Sequence, residues 1–300
     1  LTTIPTNVSY EGLGEEVVGR EREVELLLAA LQSGAHVVLE GPPGTGKSTL
    51  LRAVANRQHV PFIFVEGNAE LTPGRLVGHF DPAQVLAQGY TPEIFVDGPL
   101  IEAMRSGGLL YIEELNRVPE ETLNVLLTSM SEGEVHVPRL GAVRAAEGFC
   151  FVAAMNPYDS VGTARISGAI YDRTCRIAMG YQTPEAEGRI SELRAPDVPR
   201  EWRLKVIELI RSSREHADIR VGSSVRGVID MIKVADALAR TRGVDVSDWH
   251  LGLDAATVAL SGRIRLHEST TRTPEEVVRE LYEAVFGREP REDDDSSGEA

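Results

Sequence analysis

The residues Gly41-Pro42-Pro43-Gly44-Thr45-Gly46-Lys47-Ser48-Thr49 combine glycines, a lysine and hydroxyls at a spacing that suits a phosphate chain. They fit the pattern Gly-x-x-x-x-Gly-Lys-Ser/Thr. The glycines let the backbone curl until successive N–H groups point at one anion. A helix that starts at the end of the loop adds the partial positive charge of its first turn. Lys47 is then placed for the β- and γ-phosphates of a nucleotide, and the Ser48 hydroxyl is a hard oxygen ligand for Mg²⁺. Pro43, Gly44, Thr45, Gly46 and Thr49 complete the expected nucleotide contacts.

A second chemical element follows. Leu109-Leu110-Tyr111-Ile112-Glu113-Glu114 is an apolar run that ends in two carboxylates. A buried strand finishing in acid at the C-terminal edge of a parallel sheet puts charge where ligands bind in such folds. Glu113 is expected to hold Mg²⁺ through water. Glu114 is expected to orient and deprotonate the attacking water.

Both elements need a sheet to position them, and apolar runs supply one. Residues 36–39, 61–65, 109–112, 149–154 and 175–179 read as five strands, most of them buried on both faces. Helical patterns separate several of them, the first with Val24, Leu27, Leu28 and Leu31 at i, i+3, i+4, i+7 spacing. Alternation of this kind implies a parallel sheet covered by helices. Beyond about Tyr181 the strand pattern stops. Helices are expected over 201–216, 224–240, 251–261 and 274–286, with a boundary near 182–200 where prolines and charges cluster.

The chain has 300 residues, 42% hydrophobic and 26% charged, enough for a sizeable core. Its formal net charge is −15. An acidic surface repels a phosphate backbone, so nucleic acid is an unfavoured partner. No apolar run reaches the roughly 18 residues of a membrane span, and the start shows no secretory leader. A cytoplasmic, membrane-free location is expected. Cys150 and Cys175 read as buried small hydrophobes, and the histidines show no metal-ligand spacing.

With the two motifs in place, the chain resembles AAA+ ATPases, and within them the MoxR-like branch. The resemblance runs from about Val18 to Arg226. It implies a three-layer α/β P-loop domain with a five-stranded parallel sheet over 1–185, an all-α lid over 186–287, and an acidic solvated tail over 288–300. Val18 and Gly19 look like the family's approach to the adenine. Ile112-Glu113-Glu114-Leu115-Asn116-Arg117 looks like its Walker B signature, with Glu113 where the family usually has Asp. Ala154-Met155-Asn156-Pro157 resembles sensor 1, so Asn156 would position the lytic water. Gly162 to Arg173 resembles the helix ending in Asp-Arg, which puts the trans-acting arginine finger at Arg173, with Arg165 and Arg176 as rivals. Val221-Gly222-Ser223-Ser224-Val225-Arg226 resembles the start of the sensor 2 helix, with Ser224 as N-cap and Arg226 reaching the γ-phosphate.

Two insertions, at about 73–99 and 132–147, resemble the helix 2 insert and the hairpin before sensor 1, which touch substrate protein in relatives. The resemblance further implies ATP and Mg²⁺ as cofactors, a hexameric ring and a client protein remodelled or activated by hydrolysis. A partner with a von Willebrand factor A domain is also implied. A magnesium-chelatase-like motor subunit, a DNA-acting ring motor and a non-hydrolysing scaffold share the same motifs.

Overall fold

The protein is described from a computed structural model, which covers residues 17–157 and 168–290. The part of the acidic tail over 291–300, and Arg165 with most of the segment before Arg173, lie outside the described residues.

The chain divides into two compact units, one ending at Gly180 and one starting at Tyr181. In the first, α1 (Glu21–Gln32) buries Val24, Leu27, Leu28 and Leu31, the stripe its sequence spacing gives. It leads through β1 (His36–Glu40) and α2 (Lys47–Gln58) to β2 (Phe62–Glu66). The first insertion follows as α3 (Pro73–Val77), β3 (Gly78–Phe80), α4 (Pro82–Gln88) and β4 (Phe95–Asp97). Next come α5 (Pro99–Ser106), β5 (Leu109–Glu113) and α6 (Glu120–Glu132). The second insertion is β6 (Glu134–Val137) and β7 (Gly141–Arg144), before β8 (Cys150–Met155), α7 (Gly168–Asp172) and β9 (Thr174–Ala178).

Five strands form one parallel sheet in the order β2-β5-β8-β1-β9. Alternate side chains leave the sheet on opposite faces. Val37, Leu39, Tyr111 and Val152 therefore pack with Leu27, Leu31, Leu50 and Val54 of α1 and α2. Val38, Leu110, Ile112 and Phe151 pack with Leu100, Ile101, Met104 and Leu126 of α5 and α6. These are the three expected layers. The central strands are the ones buried on both faces, while edge strands β2 and β9 are more exposed. Edge position also corrects one expectation. Cys150 is buried, and burial pushes its thiol up to about 12, but Cys175 on β9 is exposed.

Each insertion is built on an antiparallel pair, β3 with β4 and β6 with β7. The first carries a helix inside it. Helix α4 starts at Asp81, whose carboxylate accepts from the N–H groups of Ala83 and Gln84, and it buries no residue. Leu86 is 90% exposed on it. The Arg139 guanidinium, from the β6–β7 turn, lies over the Tyr90 ring 3.8 Å from its centroid, so the two insertions touch.

The second unit contains α8 (Pro184–Arg194), α9 (Arg200–Ser212), β10 (Ile219–Val221), α10 (Val225–Arg242), α11 (Trp249–Leu260), β11 (Arg265–Leu266) and α12 (Pro274–Phe286). It is helical, with two departures from expectation. Most of the supposed boundary at 182–200 is helix α8. The sequence does carry its start signal: Thr183 caps the N–H of Ala186 and Pro184 occupies the first turn. It carries no apolar stripe, because the buried positions are Ala186, Glu187 and Ser191. The other departure is a short antiparallel ribbon, β10 with β11, in a region expected to hold helices only.

Glu187 is fully buried and pairs with Arg214 at 2.5 Å and Arg211 at 3.3 Å. Arg214 also donates to the Ser223 carbonyl and lies over the Tyr181 ring. A buried carboxylate is tolerable only with such partners. This knot ties the start of the unit to the turn before α10.

Candidate functional site

Strand β1 ends in the loop Gly41–Gly46, and α2 begins at Lys47. Gly44 and Gly46 sit at φ +74° and +90°, a region that favours glycine. Gly41 is forced for a different reason: a Cβ there would meet the Met179 carbonyl oxygen at 2.0 Å. The curled loop wraps Lys47, which is buried and donates from Nζ to the Gly41 and Pro42 carbonyls, both at 2.9 Å. Thr45 Oγ1 closes the turn by donating to the Pro42 carbonyl at 2.9 Å. The opening N–H groups of an α-helix have no partner inside the helix, and those of α2 begin at this loop. Pro43 and Thr49 are exposed at its rim.

The acidic strand lies across from α2. Ser48 Oγ donates to Glu113 Oε1 at 2.7 Å and lies 3.2 Å from the Tyr111 hydroxyl. The longer Glu113 carboxylate thus reaches the loop serine without help. Glu114 follows at φ +56°, opening a single 3₁₀ turn at Leu115–Arg117. Its Oε2 is 3.2 Å from Arg117 Nε, an ionic contact that lacks hydrogen-bond alignment. One Glu114 oxygen is therefore an acceptor with no hydrogen bond from the described residues. Asn156 follows β8 at the same edge, half-buried, next to Met155, whose carbonyl accepts from the Gly41 N–H.

Val18 is buried and Gly19 turns the chain at φ +68° ahead of α1. Arg20, next in line, carries no motif that singles it out in the sequence. It is 4% exposed and donates to the Thr45 carbonyl at 2.9 Å and the Gly180 carbonyl at 2.6 Å. It ties the 17–20 segment to the phosphate loop.

Arg173 is at the end of α7, on the surface. Its guanidinium donates to Ser131 Oγ and the Ala169 carbonyl and lies 3.5 Å from Asp172. Its rival Arg176 is engaged elsewhere. Arg176 and the Tyr171 hydroxyl both bond the buried carboxylate of Glu40, the last residue before the loop. In the second unit, Ser224 occupies the N-cap position of α10, yet its side chain makes no cap hydrogen bond. Arg226 is exposed in the first turn of that helix, where a cation opposes the helix dipole.

Gly67, just past β2, is another residue that sequence reasoning misses. Its N–H donates to the Glu113 carbonyl at 2.7 Å, and a Cβ would meet the Glu114 and Glu113 carbonyls at 2.5 and 2.7 Å. Gly67→Ala is expected to push the acidic pair out of place and lower stability by about 1–3 kcal/mol in urea unfolding. An unchanged midpoint would mean that the 113–114 backbone gives way at no cost. Tyr111 reads in the sequence only as part of an apolar run. Burial holds its phenol well above the ordinary range, so it remains protonated and able to donate.

One sheet edge therefore gathers a buried ammonium, a curled loop at a helix N-terminus, a hydroxyl and two carboxylates. That donor set fits a triphosphate with a hard divalent cation. Lys47 and the loop would hold the phosphates, and Ser48 with Glu113 would hold Mg²⁺, which supplies charge neutralisation between phosphate oxygens when bound.

Comparison with known proteins bears on the fold. Residues 36–174 match the family described as AAA domain (dynein-related subfamily). YeaC of Bacillus subtilis (strain 168) is 26% identical over 311 residues, covering 92% of this chain and 93% of that protein. The gas vesicle ATPase GvpN of Haloferax mediterranei is 26% identical over 263 residues, covering 82% of this chain and 74% of GvpN. Among solved structures, the RuvB Holliday junction branch migration motor of Thermotoga maritima superposes with a TM-score of 0.51 at 18% identity. It covers 79% of this chain and 67% of that one, and at that identity the likeness concerns the fold alone. Together with the sheet order and the loop at its edge, these matches give the α/β unit the AAA+ P-loop fold, followed along the chain by a helical unit.

Proposed function

We propose that this chain is an ATP-hydrolysing ring protein of the MoxR-like AAA+ branch that remodels or activates a client protein. The observation that carries the reading is the meeting of Lys47, Ser48, Glu113 and Glu114 at one sheet edge, with Ser48 and Glu113 already in contact at 2.7 Å. Lys47 and the loop amides bind the phosphates. Ser48 and Glu113 would hold Mg²⁺. Glu114, with an acceptor oxygen to spare, takes a proton from the attacking water, and Asn156 orients that water. Arg173 acts on the neighbour's site in a ring, with six subunits as the expected number. Arg226 reports the nucleotide to the helical unit.

The client-directed part rests on the two insertions. Residues 82–92 carry no charge in a chain of net charge −15, and Leu86 is 90% exposed among them. An uncharged apolar tip joined to the second hairpin through Arg139 and Tyr90 suits contact with polypeptide. A von Willebrand factor A domain protein is the partner this reading favours, and the cytoplasm the compartment. No helix among the described residues is long and apolar enough to cross a membrane.

Phosphate release from ATP tests the enzymatic part. The purified chain should release phosphate only with Mg²⁺, and Lys47→Ala should lose at least about a hundredfold of that rate, since the ammonium meets charge that grows in the transition state. Equal release by the variant would contradict the proposal.

A further inference from the structure

Ser48 Oγ has one hydrogen and two lone pairs. The hydrogen points to Glu113 Oε1 at 2.7 Å. A carboxylate only accepts, so that hydrogen is committed. The second neighbour of Ser48 Oγ, the Tyr111 hydroxyl at 3.2 Å, must then be the donor in its own contact. One lone pair of the serine is taken by the tyrosine and one is left.

Tyr111 is held firmly enough to enforce this. It lies two residues before Glu113 on β5, so both side chains leave the same face of the strand. Its side chain is fully buried. Its ring packs between Phe62 and Phe64 of the neighbouring strand, with centroids 5.8 and 5.7 Å away. The Arg52 guanidinium of α2 lies over both phenylalanine rings. The phenol has little freedom to turn from Ser48.

We infer that Tyr111 is a positioning residue: with Glu113 it fixes the Ser48 hydroxyl so that its remaining lone pair faces a divalent cation bound with the nucleotide. The inference rests on the proposed reading of Ser48 and Glu113 as the cation side of an ATP site.

Nucleotide affinity measured with and without metal tests it. ADP is titrated calorimetrically into the full chain, once with Mg²⁺ and once in EDTA. The factor by which Mg²⁺ tightens binding is the quantity of interest. Tyr111→Phe removes one hydrogen bond and keeps the ring. Its Mg²⁺ factor should fall about three- to tenfold, the range one net hydrogen bond covers. Its affinity in EDTA should stay within about twofold and its melting midpoint close to that of the unaltered chain, which a merely structural role would shift instead.

In a Ser48→Ala background, Tyr111→Phe should cause no further loss, because the group it positions is gone. An unchanged Mg²⁺ factor in Tyr111→Phe, or an equal loss in the Ser48→Ala background, would overturn the inference while leaving the ATP site intact. If the unaltered chain bound no ADP under either condition, the site itself would be wrong, and the inference would fall with it.

Discussion

Replacing Arg173 by alanine is expected to lower ATP turnover by about 10³–10⁵-fold, the range seen when a charge-stabilising arginine is lost from phosphoryl transfer. The residue is well placed for loss without collapse. Its side chain is 37% exposed, and its ionic partner Asp172 is 80% exposed. Surface pairs of that kind contribute about 0–1 kcal/mol, so the variant should fold and melt nearly as the unaltered chain does. Its ATP affinity should hold, because Arg173 precedes the start of β9, paired with the start of β1, whereas the phosphate loop follows the end of β1. The trans assignment has its own signature. Arg173→Ala subunits keep a sound loop, and Lys47→Ala subunits keep a sound Arg173. Mixing the two should yield more turnover than either alone. A mixture no faster than its components would place the arginine in its own subunit's site or outside catalysis. Arg176 is the control. It is committed to the buried Glu40 carboxylate, so its removal should disturb the loop's footing and show as lost stability.

Glu114→Gln is expected to cut turnover by about 10²–10⁴-fold, the contribution of a positioned general base. Glutamine keeps the shape and removes the basic oxygen. The ionic contact with Arg117 is lost with it, at a cost of about 0–1 kcal/mol for a partly exposed pair. ATP binding should therefore be retained, and the variant should hold ATP long enough to stay assembled with whatever client it engages. Size-exclusion chromatography with ATP gives the assembly, and a quenched-flow rate gives the chemistry. Turnover within a few-fold of the unaltered chain would remove Glu114 from the reaction.

These residues differ in how plainly the amino-acid sequence announces them. The phosphate loop and the acidic strand are legible because each is a short contiguous run whose chemistry depends on local spacing. The sheet is legible because its central strands β1, β5 and β8 are continuous apolar runs, which only burial on both faces explains. Helix α8 is hidden because it buries Ala186, Glu187 and Ser191 in place of an apolar stripe, leaving periodicity nothing to detect. The β10–β11 ribbon is hidden by its brevity.

The supporting residues are hidden by distance along the chain. Glu40 meets Tyr171 and Arg176, Arg20 meets the Gly180 carbonyl, and Gly67 lies against Glu113 and Glu114. Each pairing is made by the sheet order β2-β5-β8-β1-β9, which brings together strands far apart in sequence. Tyr111 alone leaves a local trace: a phenol in an otherwise aliphatic run, spaced by two from Glu113 and so on its face.

Calorimetric titration of the purified chain with ATP and Mg²⁺, using a non-hydrolysable analogue to keep the signal free of turnover, addresses the site most directly. Saturable binding near one nucleotide per chain, lost in Lys47→Ala while the variant's circular dichroism and melting stay unchanged, is the expected result. A folded Lys47→Ala chain that bound the analogue as tightly as the unaltered protein would contradict it.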